Sequence, residues 1–516
     1  MPGAIHIAML LSIASSSSST DLPSWFHGPD SKKVGSMSNG EPIFKVGLFD
    51  TKDTIHIALD GRFSVWYPRD NRGKDISHIE ISSKTQLKIH PRELPKVKRV
   101  RLFPASATRE RPEFRIGWLL QTPLGSLKHQ QGYRWVRSNS GQSEAPDGSA
   151  RRGQIYHPKR FPSYPVRFSV ELASGARLAA FRWVLIVPND MRAPGATLRS
   201  GKHRVQPRGA VLILRDTQDA VTAVALTPSE SIVRGVVPAE LFASAPSTAL
   251  EAQAVAARTA LWAMAGHRHF DRAYHVCASV HCQVYGGVKR EQPTTDQATR
   301  ATRGNVLVDA QGALVDAVFS SSCGGHTEAN HHVWGGKAKP YLSGVSDLRE
   351  HHQGITPKET HAWVNTPVHS YCTNHRFSSA KYFRWKRVFG QGKLWKLASE
   401  TFPELRLITG VEVLERGVSG RVSLLRITGL GGRSRTIGPE LAIRRAFGGL
   451  PSAAFEVSQR NDAQGAVSEL EFRGAGFGHG VGMCQMGAIG RALEGQTAEG
   501  ILGHYYPGTT LKRLHR

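Results

Sequence analysis

Apolar and polar residues alternate along the chain from Phe44 onward, in the stretches FKVGLF, TIHIAL and RFSVWY. A period of two is typical of half-buried β-strands, and the Asp and Gly residues between the stretches predict turns. Further along, GAVLILRD and AVTAVALTP predict a hairpin, and GVEVLERGVSGRVSLLRITGLGG predicts another pair of strands. The strands predicted from Phe44 onward therefore indicate a β-rich N-terminal part, and the last pair adds strands to the C-terminal part.

One long helix is predicted over the Ala-rich run from Ala249 to Ala265. Thr248 and Glu251 have the spacing of a capping box, and Gly266 ends the run. Apolar side chains recur at helical spacing on one side, at Leu250, Ala254, Ala257, Leu261 and Met264. Arg258 lies at the edge of that side, where it would either pack beside a carboxylate or cover the core edge with its alkyl stem.

Two short helices are predicted near the C-terminus, in GMCQMGAIGRALEG and TAEGILGHYYPGTTL. The second would begin at an N-cap, Thr497, and end before Pro507-Gly508. Strands followed by helices and further strands indicate the α+β fold class.

The length and the charge extend this picture. A chain of 516 residues has room for two or three domains. The net charge of +26 attracts polyanions such as nucleic acid, anionic lipid or an acidic cell-envelope polymer. Basic residues are dense between Lys88 and Arg208, which would form a groove wall or a solvated face. No run of eighteen apolar residues occurs, so we expect no transmembrane segment.

The N-terminus has a short apolar stretch, Ala4 to Ala14, followed by a serine run. Its length and the Ser12-Ile13-Ala14 sequence are typical of a signal peptide, although the usual basic residues before the apolar stretch are missing. Residues 1–38 are therefore predicted to be a signal or flexible segment. The five cysteines are too few for a disulfide scaffold, and they suit one disulfide or one metal site.

Glu240 is a candidate for acid–base chemistry. It follows RGVVP and precedes the Ala-rich helix. Burial beside apolar residues would raise the pKa of a carboxyl group, as a general acid near neutral pH requires. The alternative is a glutamate in the first turn of a helix, where the helix dipole favours its charge.

The stretch YHVCASVHCQVYGG offers two imidazoles and two thiols, at His275, Cys277, His281 and Cys282. A Cys₂His₂ set suits tetrahedral zinc. The alternatives are a Cys277–Cys282 disulfide in an exported protein and a loop with unrelated residues.

Cys323 and His326 lie together in FSSSCGGHTE. Three interpretations are open: a nucleophile pair, a second metal half-site completed by Cys372 and His375 of CTNH, or a turn that binds substrate.

The stretch FGHGVGMCQMGA carries four glycines, which allow positive φ and close approach of a ligand to the backbone. The helix that follows would present free N–H groups to an anion or a sugar oxygen. No phosphate-loop lysine follows, so nucleotide binding is not expected.

Four segments then occur in one order: RGVVPAEL with ALEAQAVAARTAL, VCASVHCQVYGG, FSSSCGGHTEANHHVWGG, and GAGFGHGVGMCQMGAIGRALEGQTAEGILGHYYPGTTL. Together they closely resemble the stage II sporulation protein D / amidase-enhancer family (SpoIID/LytB), from about Arg208 to the C-terminus. We therefore expect a β-rich domain with basic loops over 39–207. A catalytic α+β domain with a glycan-binding groove is expected over 208–516, with a divergent insertion at about 350–465.

The resemblance implies a peptidoglycan lytic transglycosylase that cuts glycan strands lacking stem peptides. Glu240 matches the family's catalytic glutamate and would be the single general acid/base. The residues that match other motif positions would contact the glycan: Arg258, Ser321, His326, His479 and Gln485. The His275, Cys277, His281 and Cys282 set matches a loop that binds zinc in some members, which implies a structural zinc that the chemistry itself does not need.

Cys484 stands where family members commonly carry serine, so we interpret it as a small buried residue. The rival function is a non-catalytic, wall-binding amidase enhancer that recruits or stimulates an N-acetylmuramoyl-L-alanine amidase. A zinc amidase would need an open metal position, and a nucleic-acid binder would explain the charge but none of the motifs. Both leading hypotheses imply an extracytoplasmic location.

Overall fold

A computed structural model describes most of the chain. It covers residues 22–28, 34–38, 40–69, 75–81, 84–92, 114–122, 125–133, 142–144, 150–152, 167–172, 177–214, 220–265, 268–269, 272–349, 355, 359–366, 368–373 and 376–514. The predicted signal sequence over Ala4 to Ala14 and the candidate ligand His375 lie outside these residues.

The described residues form many short strands and ten α-helices, which confirms the α+β class. The strands are β1 (Gly35–Ser36), β2 (Pro42–Thr51), β3 (Ile55–Leu59), β4 (Phe63–Pro68), β5 (Ile76–Ile81), β6 (Thr85–Arg92), β7 (Phe114–Thr122), β8 (Gly125–Tyr133), β9 (Gln142–Glu144), β10 (Ala150–Arg152), β11 (Arg167–Leu172), β12 (Arg177–Phe181), β13 (Trp183–Pro188), β14 (Thr197–Ser200), β15 (His203–Val205), β16 (Ala210–Leu214), β17 (Val221–Pro228), β18 (Val276–Cys277), β19 (Asn305–Val308), β20 (Phe319–Ser320), β21 (Arg384–Gly390), β22 (Ile408–Arg416), β23 (Val422–Gly429), β24 (Ser434–Ile437), β25 (Phe455–Asn461), β26 (Val467–Ala475), β27 (Met483–Cys484) and β28 (Thr510–Arg513). The helices are α1 (Ser229–Glu240), α2 (Ser247–Met264), α3 (Pro293–Ala301), α4 (Asn330–Trp334), α5 (Thr360–Asn365), α6 (Ala380–Phe383), α7 (Gln391–Glu400), α8 (Glu440–Ala446), α9 (Gln485–Leu493) and α10 (Ala498–Tyr505).

The chain divides into two compact units. Unit 1 contains the described residues of Met1–Phe103, Tyr156–Ala239 and Met264–Glu291, and unit 2 contains those of Pro104–Ile155, Glu240–Ala263 and Gln292–Arg516. The boundary predicted near residue 208 falls inside unit 1, because β16 and β17 pair with each other and with β13 and β2 in one sheet.

Unit 1 is built on two sheets. One has the order β1-β2-β17-β16-β13-β4-β5, with β18 parallel to β2, and the other has the order β12-β11-β6-β3-β14-β15. In β3 the apolar residues Ile55, Ile57 and Leu59 are buried and the residues between them are exposed, as the alternation in TIHIAL predicts. These side chains share one core with Val184 and Ile213 of the first sheet.

The first sheet is also covered on its other face. A second core packs Trp66, Trp183 and Leu212 of that sheet against Phe26 and Tyr274. Because both faces are buried, all five residues of β16 are buried. This explains why its sequence is a continuous apolar run and does not alternate.

Unit 2 contains two three-stranded sheets, β21-β26-β25 and β22-β23-β24. Leu394 of α7, Leu425 of β23 and Phe472 of β26 lie in their shared core, together with Phe447 at the end of α8. β22 and β23 pair in antiparallel fashion, so the predicted strand pair in this stretch is confirmed.

The predicted helices of unit 2 are present. α2 covers the Ala-rich run, and α9 and α10 are the two short C-terminal helices. Thr497 is the N-cap of α10, where its hydroxyl accepts a hydrogen bond from the N–H of Gly500 at 3.1 Å. Among the described residues, no helix is both long and apolar enough to cross a membrane.

Candidate functional site

Glu240 is the last residue of α1 and is half-buried. The position of this helix is set by apolar packing, because Val233, Val236 and Val237 are buried. Glu240 therefore lies at the carbonyl end of a helix, where the dipole disfavours a negative charge. The alternative of a glutamate in the first turn of a helix is wrong.

Gln485, the first residue of α9, is attached to the end of α1. Its amide Nε2 donates to the backbone carbonyl of Glu240 at 3.0 Å and to Oε1 of Gln253 in α2 at 3.2 Å. Gln253 is fully buried and Gln485 is 5% exposed. Gln485 therefore holds the backbone of Glu240 in place, and its amide protons are used within the protein.

Ser321 lies beside the start of α9. β20 and β27 pair in parallel, with Ser320 opposite Cys484, and the N–H of Met486 donates to the carbonyl of Ser321 at 3.0 Å. Ser321 is half-buried. The two distant motifs, FSSSCGGHTE and FGHGVGMCQMGA, are thus joined through backbone hydrogen bonds, with Glu240 attached through Gln485.

His479 is half-buried and its tautomer follows from its hydrogen bond. Nδ1 accepts the N–H of Val481 at 3.0 Å, so in the neutral ring the proton is on Nε2. The ring packs on the half-buried indole of Trp334, with centroids 5.0 Å apart. Trp334 was not among the predicted site residues. Its place at the end of the motif FSSSCGGHTEANHHVWGG, which contains candidate sugar-binding residues, could have indicated it.

Arg258 and His326 are placed in the core. Arg258 is fully buried and donates to the carbonyl of Asn305 at 3.1 Å and to that of Thr299 at 3.3 Å. His326 is 2% exposed, and its Nδ1 bonds to the carbonyl of Thr327 at 2.8 Å. The structure does not bring these two predicted glycan contacts to the surface. It uses them to satisfy buried carbonyl groups.

Glu328 is a buried residue that the sequence did not single out. Its Oε1 accepts from Nδ1 of His332 at 3.1 Å, and its Oε2 accepts from Oγ of Ser419 at 2.6 Å. Burial alone would raise the pKa of Glu328, but the hydrogen bonds from His332 and Ser419 and the charge of Arg421 outweigh it and lower the pKa. Glu328 therefore acts as a charged anchor between α4 and the loop before β23.

In unit 1, four potential ligands converge: His269, Cys277, His281 and Cys282. Their ligand atoms all lie within 4.8 Å of one another, with His269 Nε2 3.3 Å from Cys282 Sγ and His281 Nδ1 3.6 Å from the same sulfur. Both cysteines are free thiols in the structure. The side-chain hydrogen bond from Cys282 lowers the pKa of Cys277, and the pKa of Cys282 is raised.

His275 is not part of this group. It is fully buried, and its ring Nδ1 accepts a hydrogen bond from the backbone N–H of Lys45 at 2.9 Å. The backbone N–H of His275 donates to the backbone carbonyl of Lys45. His275 is therefore tied to β2, and His269 supplies the second imidazole. His269 lies just after α2, outside the stretch from which the ligands were predicted.

Cys484 is fully buried and caps α9, where its sulfur accepts the N–H of Gly487 at 3.3 Å. The interpretation as a small buried residue is confirmed. Cys323 and His326 do not form a nucleophile pair, because the sulfur of Cys323 faces Cys372 and Asp347 while His326 bonds to Thr327.

Residues 217–308 match a family model described as stage II sporulation protein, and residues 328–482 match a model described as a domain of unknown function. Two relatives are from Bacillus subtilis (strain 168). The amidase enhancer is 32% identical over 296 residues, which is 54% of this chain and 40% of that protein. Stage II sporulation protein D is 29% identical over 301 residues, covering 55% of this chain and 74% of that protein.

An uncharacterised protein of Brachyspira hyodysenteriae is 28% identical over 288 residues, covering 56% of this chain and 67% of that protein. The match to the amidase enhancer spans well under half of that relative's length. These similarities confirm the resemblance on which the four motifs of this chain agree.

Proposed function

Because this chain belongs to the SpoIID/LytB family through residues 217–308, we propose that it is a peptidoglycan lytic transglycosylase. It would cut denuded glycan strands and leave 1,6-anhydro-N-acetylmuramic acid ends. The observation that carries the proposal is the position of Glu240, a half-buried residue whose backbone carbonyl accepts a hydrogen bond from Gln485 of the FGHGVGMCQMGA motif.

The chemistry needs only that one group. In its protonated form Glu240 donates a proton to the glycosidic oxygen as the bond to C1 of N-acetylmuramic acid breaks. The resulting carboxylate takes the proton of the C6 hydroxyl of the same sugar, whose oxygen closes onto C1. No water is consumed, so the second carboxylate that ordinary glycosidases use is not required.

Contacts to the glycan follow from the same arrangement. His479 Nε2–H is a donor for a sugar or acetamido oxygen, and the Trp334 ring beside it offers an apolar face to a sugar ring. Ser321 supplies a hydroxyl group on the neighbouring segment. Gln485 acts by positioning Glu240, since its amide donates to the Glu240 carbonyl.

The test is product analysis by mass spectrometry after incubation with peptide-free glycan strands. The wild-type chain is expected to release anhydro-muramyl products, and Glu240→Gln is expected to lower their rate by about 10³-fold, because it removes the acid and the base while keeping the shape. Glu499→Gln, an exposed site in α10, is the matched control and should keep wild-type rates. Equal product formation by Glu240→Gln would overturn the proposal.

A second candidate function is a non-catalytic amidase enhancer, which the name of the Bacillus subtilis relative favours. In that case Glu240→Gln keeps both glycan binding and stimulation of a purified N-acetylmuramoyl-L-alanine amidase. The wild-type chain alone then releases no anhydro-muramyl product, so one set of measurements separates the two functions.

We also propose that His269, Cys277, His281 and Cys282 hold a structural zinc ion. The donor set fits, because two thiols and two imidazoles within 4.8 Å of one another are typical of a closed tetrahedral zinc site. Bound zinc would hold the turn after α2 to β18 and take no part in glycan cleavage.

Measuring the zinc content of two variants tests whether His269 or His275 is the zinc ligand. His269→Ala is expected to lower the zinc per folded chain by about one equivalent, because it removes a ligand. His275→Ala, with the same change six residues away, should keep that zinc. Equal zinc content in the wild type and in His269→Ala would contradict this ligand set. A Cys277–Cys282 disulfide in the purified protein would contradict the zinc site itself.

The proposed substrate determines where in the cell the protein must act. Peptidoglycan lies outside the cytoplasmic membrane, so the proposed activity requires an extracytoplasmic protein. Fractionation of cells that produce the full chain tests this, and confinement to the cytoplasmic fraction would contradict the proposed substrate.

A further inference from the structure

Three of the five cysteines meet in the core of unit 2, beside one carboxylate. Cys323 follows β20, Cys484 ends β27, and Cys372 and Asp347 come from separate loops. All four are at most 1% exposed. Their ligand atoms lie within 4.8 Å of one another, and the three sulfurs are free thiols.

The distances match a metal site and not a disulfide. Cys323 Sγ is 3.8 Å from Cys372 Sγ and 3.5 Å from Asp347 Oδ2. A tetrahedral zinc ion with Zn–S bonds of about 2.3 Å and a Zn–O bond of about 2.1 Å has S···S edges of about 3.8 Å and S···O edges of about 3.6 Å. A disulfide would place the sulfurs about 2.05 Å apart.

Backbone N–H groups point at two of the sulfurs. Gly325 donates to Cys323 Sγ at 3.3 Å, and both Cys323 and Gly487 donate to Cys484 Sγ, at 3.2 and 3.3 Å. Hydrogen bonds of this kind stabilise a thiolate and orient it, as the outer shell of a metal site does.

The carboxylate is held in the same way. Oδ1 of Asp347 accepts from Nη2 of Arg491 at 3.0 Å and from the hydroxyl of Tyr505 at 2.8 Å. These bonds fix the carboxylate with Oδ2 towards Cys323. Arg491 also places a buried positive charge beside the cluster, and it lies over the ring of Tyr371, next to Cys372. Three thiolates and a carboxylate around a divalent ion would carry a net negative charge, which this arginine offsets.

We propose that Cys323, Asp347, Cys372 and Cys484 form a second, closed metal site that binds zinc or a similar thiophilic divalent cation. Thiolates select such ions over magnesium or calcium. Four protein ligands leave no open position, so the site is structural. It fastens together the segments that carry Ser321 and Gln485, and it does not depend on the proposed enzymatic activity. Asp347 is the fourth potential ligand among the described residues, and His375 of CTNH lies outside them.

The experiment is metal analysis and zinc X-ray absorption on the full chain, purified under reducing conditions with zinc and then dialysed. In Cys277→Ala/Cys282→Ala, which removes the thiols of the unit 1 group, we expect one zinc per chain bound by three sulfurs and one oxygen. Adding Cys372→Ser should remove that zinc. Loss of all zinc in the double variant, or a Cys323–Cys372 disulfide in its place, would overturn the proposal.

The wild-type chain gives a readout that needs no variant. Two zinc ions, one in each site, would average about 2.5 sulfurs per zinc, whereas the unit 1 group alone gives about 2. A single zinc with three sulfurs would support the second site without the first. An average of two sulfurs with one zinc per chain would refute the second site even if the variants fail to fold.

Discussion

Gly480 lies where no side chain fits. Its φ is 76°, and a Cβ atom there would collide with the guanidinium group of Arg421. Arg421 is almost fully buried and donates to the carbonyls of Cys323 and His326. The glycine therefore allows the loop that carries His479 to pass directly over a buried arginine that holds the opposite motif.

Replacing Gly480 should lower the free energy of unfolding by more than the strain from its positive φ alone. Gly480→Ala is expected to lower the free energy of unfolding by about 3 kcal/mol, because left-handed strain adds to displacement of Arg421. Gly431→Ala is the matched control, since its φ is 70° and no atom lies near its would-be Cβ. It should cost only about 1 kcal/mol. Denaturant unfolding of both variants measures the difference, and equal losses would show that the contact with Arg421 is unimportant.

At the scale of single residues, the sequence motifs predicted which segments carry the site better than which side chains face it. Glu240 and His479 are half-buried, whereas Arg258 is in the core, because carbonyl groups of α3 and β19 need donors there. His269 could not be distinguished from His275 by spacing. The turn after α2 brings the first to the thiols, while β2 takes the hydrogen bonds of the second.

At the scale of elements, periodicity was informative where one face is buried. β3 alternates between buried and exposed residues, so its period made it predictable. In α2 every residue from Ala252 to Trp262 is buried, so the apolar side predicted from its sequence is only part of its buried surface. Short elements such as β20 and β27 have two residues each and no period to detect. Their parallel pairing depends on tertiary contacts between residues more than 160 positions apart, and these contacts are what bring the motifs together.

The ion pair between Glu328, which precedes α4, and His332 on α4 makes the stability of unit 2 depend on pH. The hydrogen bond to Glu328 raises the pKa of His332, and the adjacent Glu415 acts in the same direction against burial. A raised histidine pKa gives stability that is complete below the unfolded value of about 6.5 and is lost as pH rises through the folded value. The lowered pKa of Glu328 gives stability that is complete above about 4.3 and is lost as the pH falls.

We therefore expect the contribution of this pair to be greatest between about pH 4.3 and 6.5. His332→Gln should lower the free energy of unfolding by roughly 1 kcal/mol in this window and by less at higher pH. Unfolding curves of the wild type and the variant across this range provide the measurement. A difference that is constant with pH would contradict the ion pair.

At the scale of the whole molecule, the order of four motifs predicted the family, while the net charge predicted only a class of partner. A field of +26 favours any polyanion. Much of the basic sequence between residues 88 and 208 lies outside the described residues, so its predicted role as groove wall or solvated face stays a prediction. The motifs, and not the charge, favour a glycan with lactyl carboxylates as the polyanion.

This preference predicts how binding to the cell wall responds to salt. If the charge contributes to wall binding, the affinity for purified sacculi should fall by roughly tenfold between about 0.05 M and 0.5 M salt, because salt screens attraction between exposed charges. Methyl esterification of the sacculi should remove this dependence, since it neutralises the carboxylates. Glu240→Gln is the matched protein control, because it should bind with the same salt dependence while it no longer cleaves. Binding to esterified and native sacculi with one affinity at low salt would show that the positive charge serves some partner other than the wall.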